Sequence, residues 1–341
     1  MKGFNVAILG ATGLVGQELV KVLEERKFPV ASLELLAAER SGGRRVFVNR
    51  TELEVKDATS RSFDRIDIAL FTASAEVSRH FAPIAAQAGA VVVDNSAAFR
   101  TDTEIPLVVP EINPDDIKSH QGIIASPNAA AVQTVMALYP LHRMNPVKRA
   151  VVATYQSVSG SGAAAMEELS TQTRLVMEGR AAVPHVYPHQ IAFNLLPEID
   201  VFLDDGYSKE EWNLVQEARR ILHAPELPMS ATCVRVPVFI GYSVAITVEL
   251  SRAMNPDDAR RILADAPGVK LMDDPYVSLY PQPWSVAGLD DVFVGRVRTD
   301  GSHPNGLAMW VVADNLRKGA ALNAVQIAEA GIQRGWIPRR K

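Results

Sequence analysis

The stretch "FNVAILGATGLVGQELVKVL" (residues 4–23) decides the fold of this chain of 341 residues. Its opening, NVAILG, is an apolar run typical of a buried β-strand, and the apolar residues that follow recur at helical spacing. Between them lies a G-x-x-G-x-x-G loop, whose spacing lets the backbone turn tightly and approach a pyrophosphate at the positive end of a helix. This context favours a dinucleotide site over an ordinary turn. The predicted cofactor contacts in the loop are Gly10, Thr12, Gly13, Leu14, Val15 and Gly16.

The residues after this helix continue the alternation of strand and helix patterns. "SLELLAA", "IDIALFTA" and "AVVVD" predict buried strands, and "EVSRHFAPIAAQAG" predicts a helix between the last two. Strands separated by helices imply right-handed crossovers and a parallel sheet. We therefore predict an α/β fold that begins with a Rossmann-like parallel-sheet domain.

Beyond residue 130 the pattern changes to longer strands with one polar and one apolar face. "KRAVVATYQ", "SATCVRVPVF" and "SVAITVEL" predict such strands, and "SKEEWNLVQEARRIL" predicts an amphipathic helix. These patterns indicate an α+β substrate and dimerisation domain, with helices on one side of its sheet. The C-terminal "DNLRKGAALNAVQIAEAGIQRG" predicts a helix that returns to the first domain. The predicted domains are 1–128 with 315–341, and 129–314.

Composition excludes several classes of function. With 35 basic and 39 acidic residues, the formal net charge is -4, so the chain lacks the excess of positive charge that binding to nucleic acid or to an anionic membrane needs. The sequence has no apolar run of about 18 residues and opens directly into a strand, so we expect neither a membrane partner nor export. Cys233 is the sole cysteine, which excludes an internal disulfide and fits the cytoplasm. His185 and His189 offer no convincing metal set with it.

The loop "AAERSGGRR" (residues 37–45) bears on the choice of dinucleotide. An NAD site usually presents a carboxylate to the ribose, whereas the 2'-phosphate of NADP is held by cationic and hydroxyl groups. Glu39 fits NAD, while Arg40 and Ser41 fit NADP, and a solvated basic loop is a third interpretation. We favour NADP.

Over nearly its whole length the chain resembles the aspartate-semialdehyde dehydrogenases. The matching stretches, in family order, are "GATGLVGQEL", "DNSAAFR", "SPNAAAVQTVMAL", "TYQSVSGSGAAAMEEL", "IAFNLLPEID", "TCVRVPVF" and "ADNLRKGAALNAVQIAE". The related N-acyl-glutamyl-phosphate reductases share the architecture, but "DNSAAFR" and "DNLRKGAA" point to the aspartate branch. The resemblance implies NADP-dependent interconversion of aspartyl-4-phosphate and aspartate semialdehyde, and a homodimer formed through the second domain.

Two departures from the family pattern remove its chemistry. The family uses a cysteine thiolate that attacks the acyl phosphate and a histidine that acts as acid and base. By resemblance the nucleophile position, which follows Asn128, is Ala129, and the histidine position is Tyr242. A methyl group cannot attack a carbonyl, and a phenol with a pKa of about 10 is a poor base at neutral pH. For Tyr242 we favour a structural role, in which its aromatic ring fills an unused pocket, over a catalytic one.

Other family positions are retained. The resemblance assigns Arg100 to the phosphate, Gln156 to the reacting centre, Arg235 to the substrate carboxylate and Asn315 to the nicotinamide. In the helix "YSKEEWNLVQE", Glu210 is retained, but Asn213 stands where the family tends to place a lysine, which weakens the phosphate site. Structural alternatives remain open, since an arginine can brace a loop and Asn315 can cap the last helix.

Cys233 is the one thiol that could replace the missing nucleophile. It lies two residues before Arg235 in a predicted strand, so the two side chains share a face. The same cysteine also occurs in relatives that keep the catalytic one, which favours a buried core thiol.

Three explanations account for these departures to different degrees. An engineered Cys-to-Ala protein explains Ala129 alone, and an active dehydrogenase that uses other groups has no visible nucleophile. A natural paralogue that has lost the reaction explains Ala129, Tyr242 and Asn213 together, and we favour it. Such a protein would sense a small acidic metabolite if Arg100 and Arg235 face an open pocket, or serve as a partner-binding scaffold if Tyr242 plugs it.

Overall fold

Two compact units make up the chain in its computed structural model, which describes residues 3–38, 43–48 and 51–339. One unit comprises Met1–Asn128 together with Ala320–Lys341, and the other comprises Ala129–Gly319. A parallel-sheet unit and a mixed-sheet unit confirm the predicted fold class.

The second boundary lies after Gly319 and not after residue 314 as the sequence pattern indicates. The difference has a local cause. The side chain of Asn315 accepts hydrogen bonds from Ser157, Ser159 and Gly241, all of which belong to the second unit. These contacts place residues 315–319 in the second unit.

The first unit alternates strands with helices. Its elements before the second unit are β1 (Phe4–Leu9), α1 (Leu14–Glu25), β2 (Val30–Ala37), β3 (Arg45–Val48), β4 (Thr51–Glu54), β5 (Lys56–Asp57), β6 (Ile68–Phe71), α2 (Ala75–Gln87), β7 (Val91–Asp94) and β8 (Ile123–Ala125). The strands form a parallel sheet in the order β5-β2-β1-β6-β7-β8, while β3 and β4 form a separate antiparallel hairpin. Because helices cover both faces of such a sheet, β6 and β7 are buried at every position.

Helix α1 follows from the spacing of its apolar side chains. Leu19, Val22 and Leu23 lie on one face and are buried in the core of the first unit. Burial of each such leucine stabilises the fold by about 1.5–3 kcal/mol. The helix ends at Glu25, and Lys27 then adopts a left-handed backbone with φ 52° ahead of Pro29.

The second unit is built on a mixed six-stranded sheet. Its elements are α3 (Ala129–Met144), β9 (Val147–Gln156), α4 (Ala163–Met177), α5 (Lys209–Ile221), β10 (Met229–Arg235), β11 (Tyr242–Leu250), α6 (Pro256–Ala264), β12 (Val269–Leu271), α7 (Pro283–Val286), β13 (Val292–Thr299) and β14 (Gly306–Ala313). The strand order is β10-β9-β11-β14-β13-β12. Helices α3, α5 and α6 contact this sheet, and α3 lies against its central strands.

The side of this sheet away from these helices carries partly exposed side chains. Thr232, Ala153, Ala245 and Trp310 form one row across β10, β9, β11 and β14, and none of them is fully buried. We refer to this side as the outer face. The nearby segment 276–289 carries two almost fully exposed aromatic side chains, Tyr276 at 98% and Trp284 at 93%. A large apolar area of this kind is typical of an interaction surface.

The C-terminal segment returns to the first unit. A π-helix at Arg317–Ala321 precedes α8 (Leu322–Gln333), so the long helix predicted from residue 315 starts later than its apolar pattern indicates. Glu329 of α8 forms an ion pair with Arg26 at the end of α1, with Nη2 and Oε2 2.6 Å apart. Asn323 donates to the carbonyl of Val108 and to Ser126 Oγ, each at 3.0 Å.

Within the described ranges, no helix combines the length and apolar character that crossing a bilayer requires.

Candidate functional site

The glycine loop of the first unit is shaped to admit a phosphate group close to its backbone. Gly10 adopts φ +95°, and its carbonyl accepts a hydrogen bond from Gly13 at 3.1 Å. A Cβ on Gly16 would lie 2.2 Å from the Gly10 carbonyl oxygen, so α1 packs directly on the loop. Gly13, the N-cap of α1, is exposed and has no side-chain cap. Gly13 brings no side-chain oxygen of its own to the positive end of α1, which suits a pyrophosphate.

The remaining contacts predicted in this loop are arranged around the same helix end. Thr12, Leu14 and Val15 are partly exposed, and the carbonyl of Thr12 accepts a hydrogen bond from the Gln17 side chain at 3.0 Å. Arg40 and Ser41, which we predict to hold the 2'-phosphate, and Glu39 lie outside the described residues.

Arg100 braces two loops of the first unit. Its Nε donates to the carbonyl of Ser126 at 3.0 Å, and Nη2 donates to the carbonyl of Asn95. The side chain is only partly buried. These contacts match the structural alternative for Arg100, and they also hold the guanidinium in a fixed position.

Position 129 opens the 16-residue helix α3, directly after the partly buried Asn128. The unbonded amides of a helix N-terminus favour an anion, so a thiolate at this position would be stabilised. Ala129 presents a methyl group instead. A Cβ on Gly319 would lie 2.6 Å from the Ala129 Cβ, so the backbone at Gly319 closely approaches this position.

Tyr242 begins β11 and fills the space beside Arg235. Its hydroxyl lies 3.5 Å from Arg235 Nη1, and Nη1 also donates to the carbonyl of Ser157 at 2.7 Å. Burial raises the pKa of the Tyr242 phenol, against the smaller opposing effect of the Arg235 charge. The side chain therefore stays protonated at neutral pH.

Asn315 connects three segments of the second unit. Its Oδ1 accepts from Ser157 Oγ, Ser159 Oγ and the Gly241 amide at 3.1, 3.1 and 2.9 Å. The cap of α8 is Ala321, so the alternative in which Asn315 caps the last helix is wrong. The contacts instead join the turn after β9 to the residue before Tyr242.

Gln156 and Glu210 are brought together by the end of β9 and the start of α5. Gln156 Nε2 donates to Glu210 Oε1 at 2.9 Å and to Thr154 Oγ1 at 3.3 Å, and both acids of the helix start, Glu210 and Glu211, are buried. Asn213 is also buried on α5. A lysine at position 213 would add a positive charge to this cluster, and asparagine adds none.

Cys233 is fully buried in β10, opposite Thr154 of β9. Burial raises its pKa, with a smaller contribution from the neighbouring Glu210. Because the thiolate is the nucleophilic form, a buried thiol with a raised pKa is a poor nucleophile in the folded chain. The interpretation as a core thiol is confirmed.

Several residues of the site carry no clear signal in the sequence. Gly160 contacts the Tyr242 hydroxyl, since a Cβ at Gly160 would lie 1.8 Å from it. The ring centroid of Tyr187 lies 6.0 Å from Arg235 Cζ. The run of small residues in "SVSGSG" indicates close packing at a turn, but not what packs there. In the part of the chain that the structure describes, no cluster of three or more His, Cys, Asp or Glu residues could hold a metal ion.

Comparison with known proteins covers both units. Residues 5–120 match the family model "Semialdehyde dehydrogenase, NAD binding domain", and residues 138–318 match "Semialdehyde dehydrogenase, dimerisation domain". The aspartate-semialdehyde dehydrogenase of Aquifex aeolicus is 51% identical over 98% of this chain and 100% of its own length. The enzyme of that name from Legionella pneumophila is 50% identical over 98% and 96%.

A solved structure extends the similarity to three dimensions. The crystal structure of aspartate semialdehyde dehydrogenase II from Vibrio cholerae matches with a TM-score of 0.94 and 45% identity, over 97% of this chain and 99% of that one. The family models, the full-length relatives and the solved structure all indicate the same family. The chain therefore belongs to the aspartate-semialdehyde dehydrogenase family, with an NAD-binding domain followed by a dimerisation domain.

Proposed function

We propose that this chain is a non-catalytic member of its family, which binds NADP and forms a homodimer but does not interconvert aspartyl-4-phosphate and aspartate semialdehyde. One observation carries the proposal. The two positions that should supply a thiolate and an imidazole hold a methyl group at the start of α3 and a fully buried phenol.

In the second unit, neither Cys233 nor Tyr242 can replace the missing nucleophile and the missing acid and base. A thioester needs a nucleophile, and Cys233, the sole cysteine, is buried with a raised pKa. Proton transfer at neutral pH needs a group that titrates near 7, whereas burial keeps the Tyr242 phenol protonated. Loss of a nucleophile of this kind lowers turnover on the order of a millionfold.

Binding of the dinucleotide is retained in the proposal. The glycine loop keeps its tight turn, and the N-terminus of α1 has no side-chain cap. Arg40 and Ser41 are the groups that would hold the 2'-phosphate, which favours NADP over NAD. NADP would supply hydride chemistry when bound, but this chain offers no group that forms the thioester acceptor.

The outer face of the second sheet and the nearby segment 276–289 support a homodimer. The matched family model is a dimerisation domain, and Tyr276 and Trp284 leave large apolar surfaces in water in a single copy. Aromatic side chains at such positions frequently dominate the free energy of association. A partner-binding role fits the buried Arg235 better than a sensor of acidic metabolites, which needs that guanidinium open to solvent.

Restoration of both lost groups tests the proposal. We expect the unchanged chain to show no phosphate-dependent NADP reduction with aspartate semialdehyde, and Ala129→Cys/Tyr242→His to raise the rate by about 10³ or more. NADPH titration by calorimetry on each variant is the control for an intact cofactor site.

Two results would contradict the proposal. Turnover by the unchanged chain would show that another group acts as nucleophile. Full activity in Ala129→Cys alone would mean that Tyr242 serves as acid and base, and would favour an engineered Cys-to-Ala change as the origin of Ala129.

A further inference from the structure

We infer that Tyr242 occupies the place of a substrate carboxylate at Arg235, so that the chain excludes small carboxylates from this position by means of its own side chain. The inference rests on the proposed function and on the resemblance to the family, which implies that Arg235 binds the substrate carboxylate. Its other support is the geometry within the second unit.

The guanidinium of Arg235 is enclosed by groups of its own unit. The residue is only 5% exposed. Nη1 donates to the Ser157 carbonyl at 2.7 Å and contacts the Tyr242 hydroxyl at 3.5 Å, while the Tyr187 ring lies 6.0 Å from Cζ. An arriving carboxylate needs two adjacent N–H groups in one plane, and the phenol already stands beside one of them.

The position of the Tyr242 ring depends on Gly160. A Cβ on Gly160 would lie 1.8 Å from the Tyr242 hydroxyl, 3.0 Å from Tyr242 Cζ and 3.0 Å from Arg235 Nη1. The phenol therefore reaches the backbone of the turn after β9, and only a residue without a side chain leaves room for it. An imidazole at position 242 is shorter and has no hydroxyl to reach this far.

Arg235 nevertheless keeps unused capacity for an anion. Its Nε is buried and has no hydrogen-bond partner among the residues that the structure describes. A buried, charged donor without a partner is unfavourable, and a carboxylate oxygen satisfies such a donor well. Removal of the ring should thus expose a site that already has charge and donors in place.

Titration calorimetry with L-aspartate as the carboxylate probe tests this inference. We expect no detectable binding to the unchanged chain or to Tyr242→Phe, which keeps the ring. Tyr242→Ala should bind at least about tenfold more tightly than the unchanged chain, and Tyr242→Ala/Arg235→Gln should lose that gain. The melting temperature of each variant shows that the protein is folded.

Clear outcomes would overturn the inference. Equal affinity in the unchanged chain and Tyr242→Ala would show that the Tyr242 side chain excludes nothing. A gain that persists in the Arg235→Gln background would place the probe elsewhere. Turnover by the unchanged chain overturns the proposed function but leaves this comparison of binding unaffected.

A second experiment needs no ligand. We expect Gly160→Ala to lower the melting temperature by several degrees in the unchanged chain, because its Cβ collides with the phenol, and to lower it far less in the Tyr242→Ala background. Coupling of this kind is what a double-mutant cycle measures. Equal shifts in the two backgrounds would contradict the direct contact between Gly160 and Tyr242.

Discussion

In the proposed function, the Tyr242 phenol stands where the resemblance implies an imidazole, and its contact with Arg235 adds a second consequence, the exclusion of a carboxylate. Resemblance to the family assigned Ala129, Arg235 and Tyr242 to the site, because each lies in a motif of fixed spacing. It could not place Gly160 or Tyr187 beside Arg235, since these contacts join segments that lie far apart in the chain. Contacts between distant segments depend on the folded sheet and leave no local pattern.

A cysteine at position 129 should be unusually acidic. We expect the thiol in Ala129→Cys to have a pKa below about 8.5, because it lies in the first turn of the 16-residue helix α3. The pH dependence of alkylation by iodoacetamide measures it. Cys233 provides the background, and the unchanged chain should react only when unfolded. A pKa at or above that of a free cysteine would argue against stabilisation by the helix.

Asp94 should make stability depend on pH. Its carboxylate is fully buried and accepts hydrogen bonds from the Ser78 and Ser96 hydroxyls at 2.7 and 2.6 Å. Burial raises the pKa of Asp94 despite these hydrogen bonds. A raised folded pKa means that the charged form destabilises the native state, and that this cost disappears below the unfolded pKa. Relative to Asp94→Asn, the unchanged chain should therefore gain stability as pH falls from 7 to about 4. Urea denaturation at several pH values measures the difference, and the opposite trend would contradict it.

Among the elements, β1, α1 and their loop were predicted well because one continuous stretch encodes all three. The hairpin of β3 and β4 was not predicted, since its short strands lack a long apolar run. The start of α8 was predicted too early, because the apolar periodicity continues through the π-helix Arg317–Ala321. Periodicity alone does not separate a wider turn from an α-helix.

The packing of α1 on its loop yields a prediction at this scale. Gly16→Ala should destabilise the chain by about 1–3 kcal/mol and weaken NADPH binding, because its Cβ would lie 2.2 Å from the Gly10 carbonyl oxygen. Gly13→Ala is the matched control for stability, since its Cβ would lie 3.4 Å from the same oxygen. Urea denaturation and NADPH fluorescence provide the readouts, and equal stability of the two variants would contradict this account.

For the whole molecule, the alternation of strands and helices predicted a parallel sheet, and the longer two-faced strands beyond residue 130 predicted a second, α+β unit. The exposure of Tyr276 and Trp284 was not predictable, because an aromatic residue in a Pro-rich loop is equally compatible with a buried position. Only the folded second unit shows that these rings face water in a single copy.

The proposed homodimer can be tested through these rings. We expect Trp284→Ala and Tyr276→Ala each to weaken self-association at least about tenfold, as for aromatic residues that anchor an interface. Trp212→Ala is the control, since Trp212 lies on α5 and is 39% exposed. Sedimentation velocity over a range of concentrations measures the dissociation constant. A monomer at all concentrations, or equal effects of all three variants, would count against this surface.

The contact between Tyr242 and Gly160 also sets the order in which this site can change. While the phenol remains, any side chain at position 160 meets it, so position 160 is closed to substitution. Replacement of Tyr242 by a smaller residue removes the closest contact and leaves Arg235 Nη1, 3.0 Å from such a Cβ, as the remaining limit on the size of a side chain at 160. In a library that randomises both positions, non-glycine residues at 160 should therefore be recovered only together with a small residue at 242. The residues at the two positions would then covary.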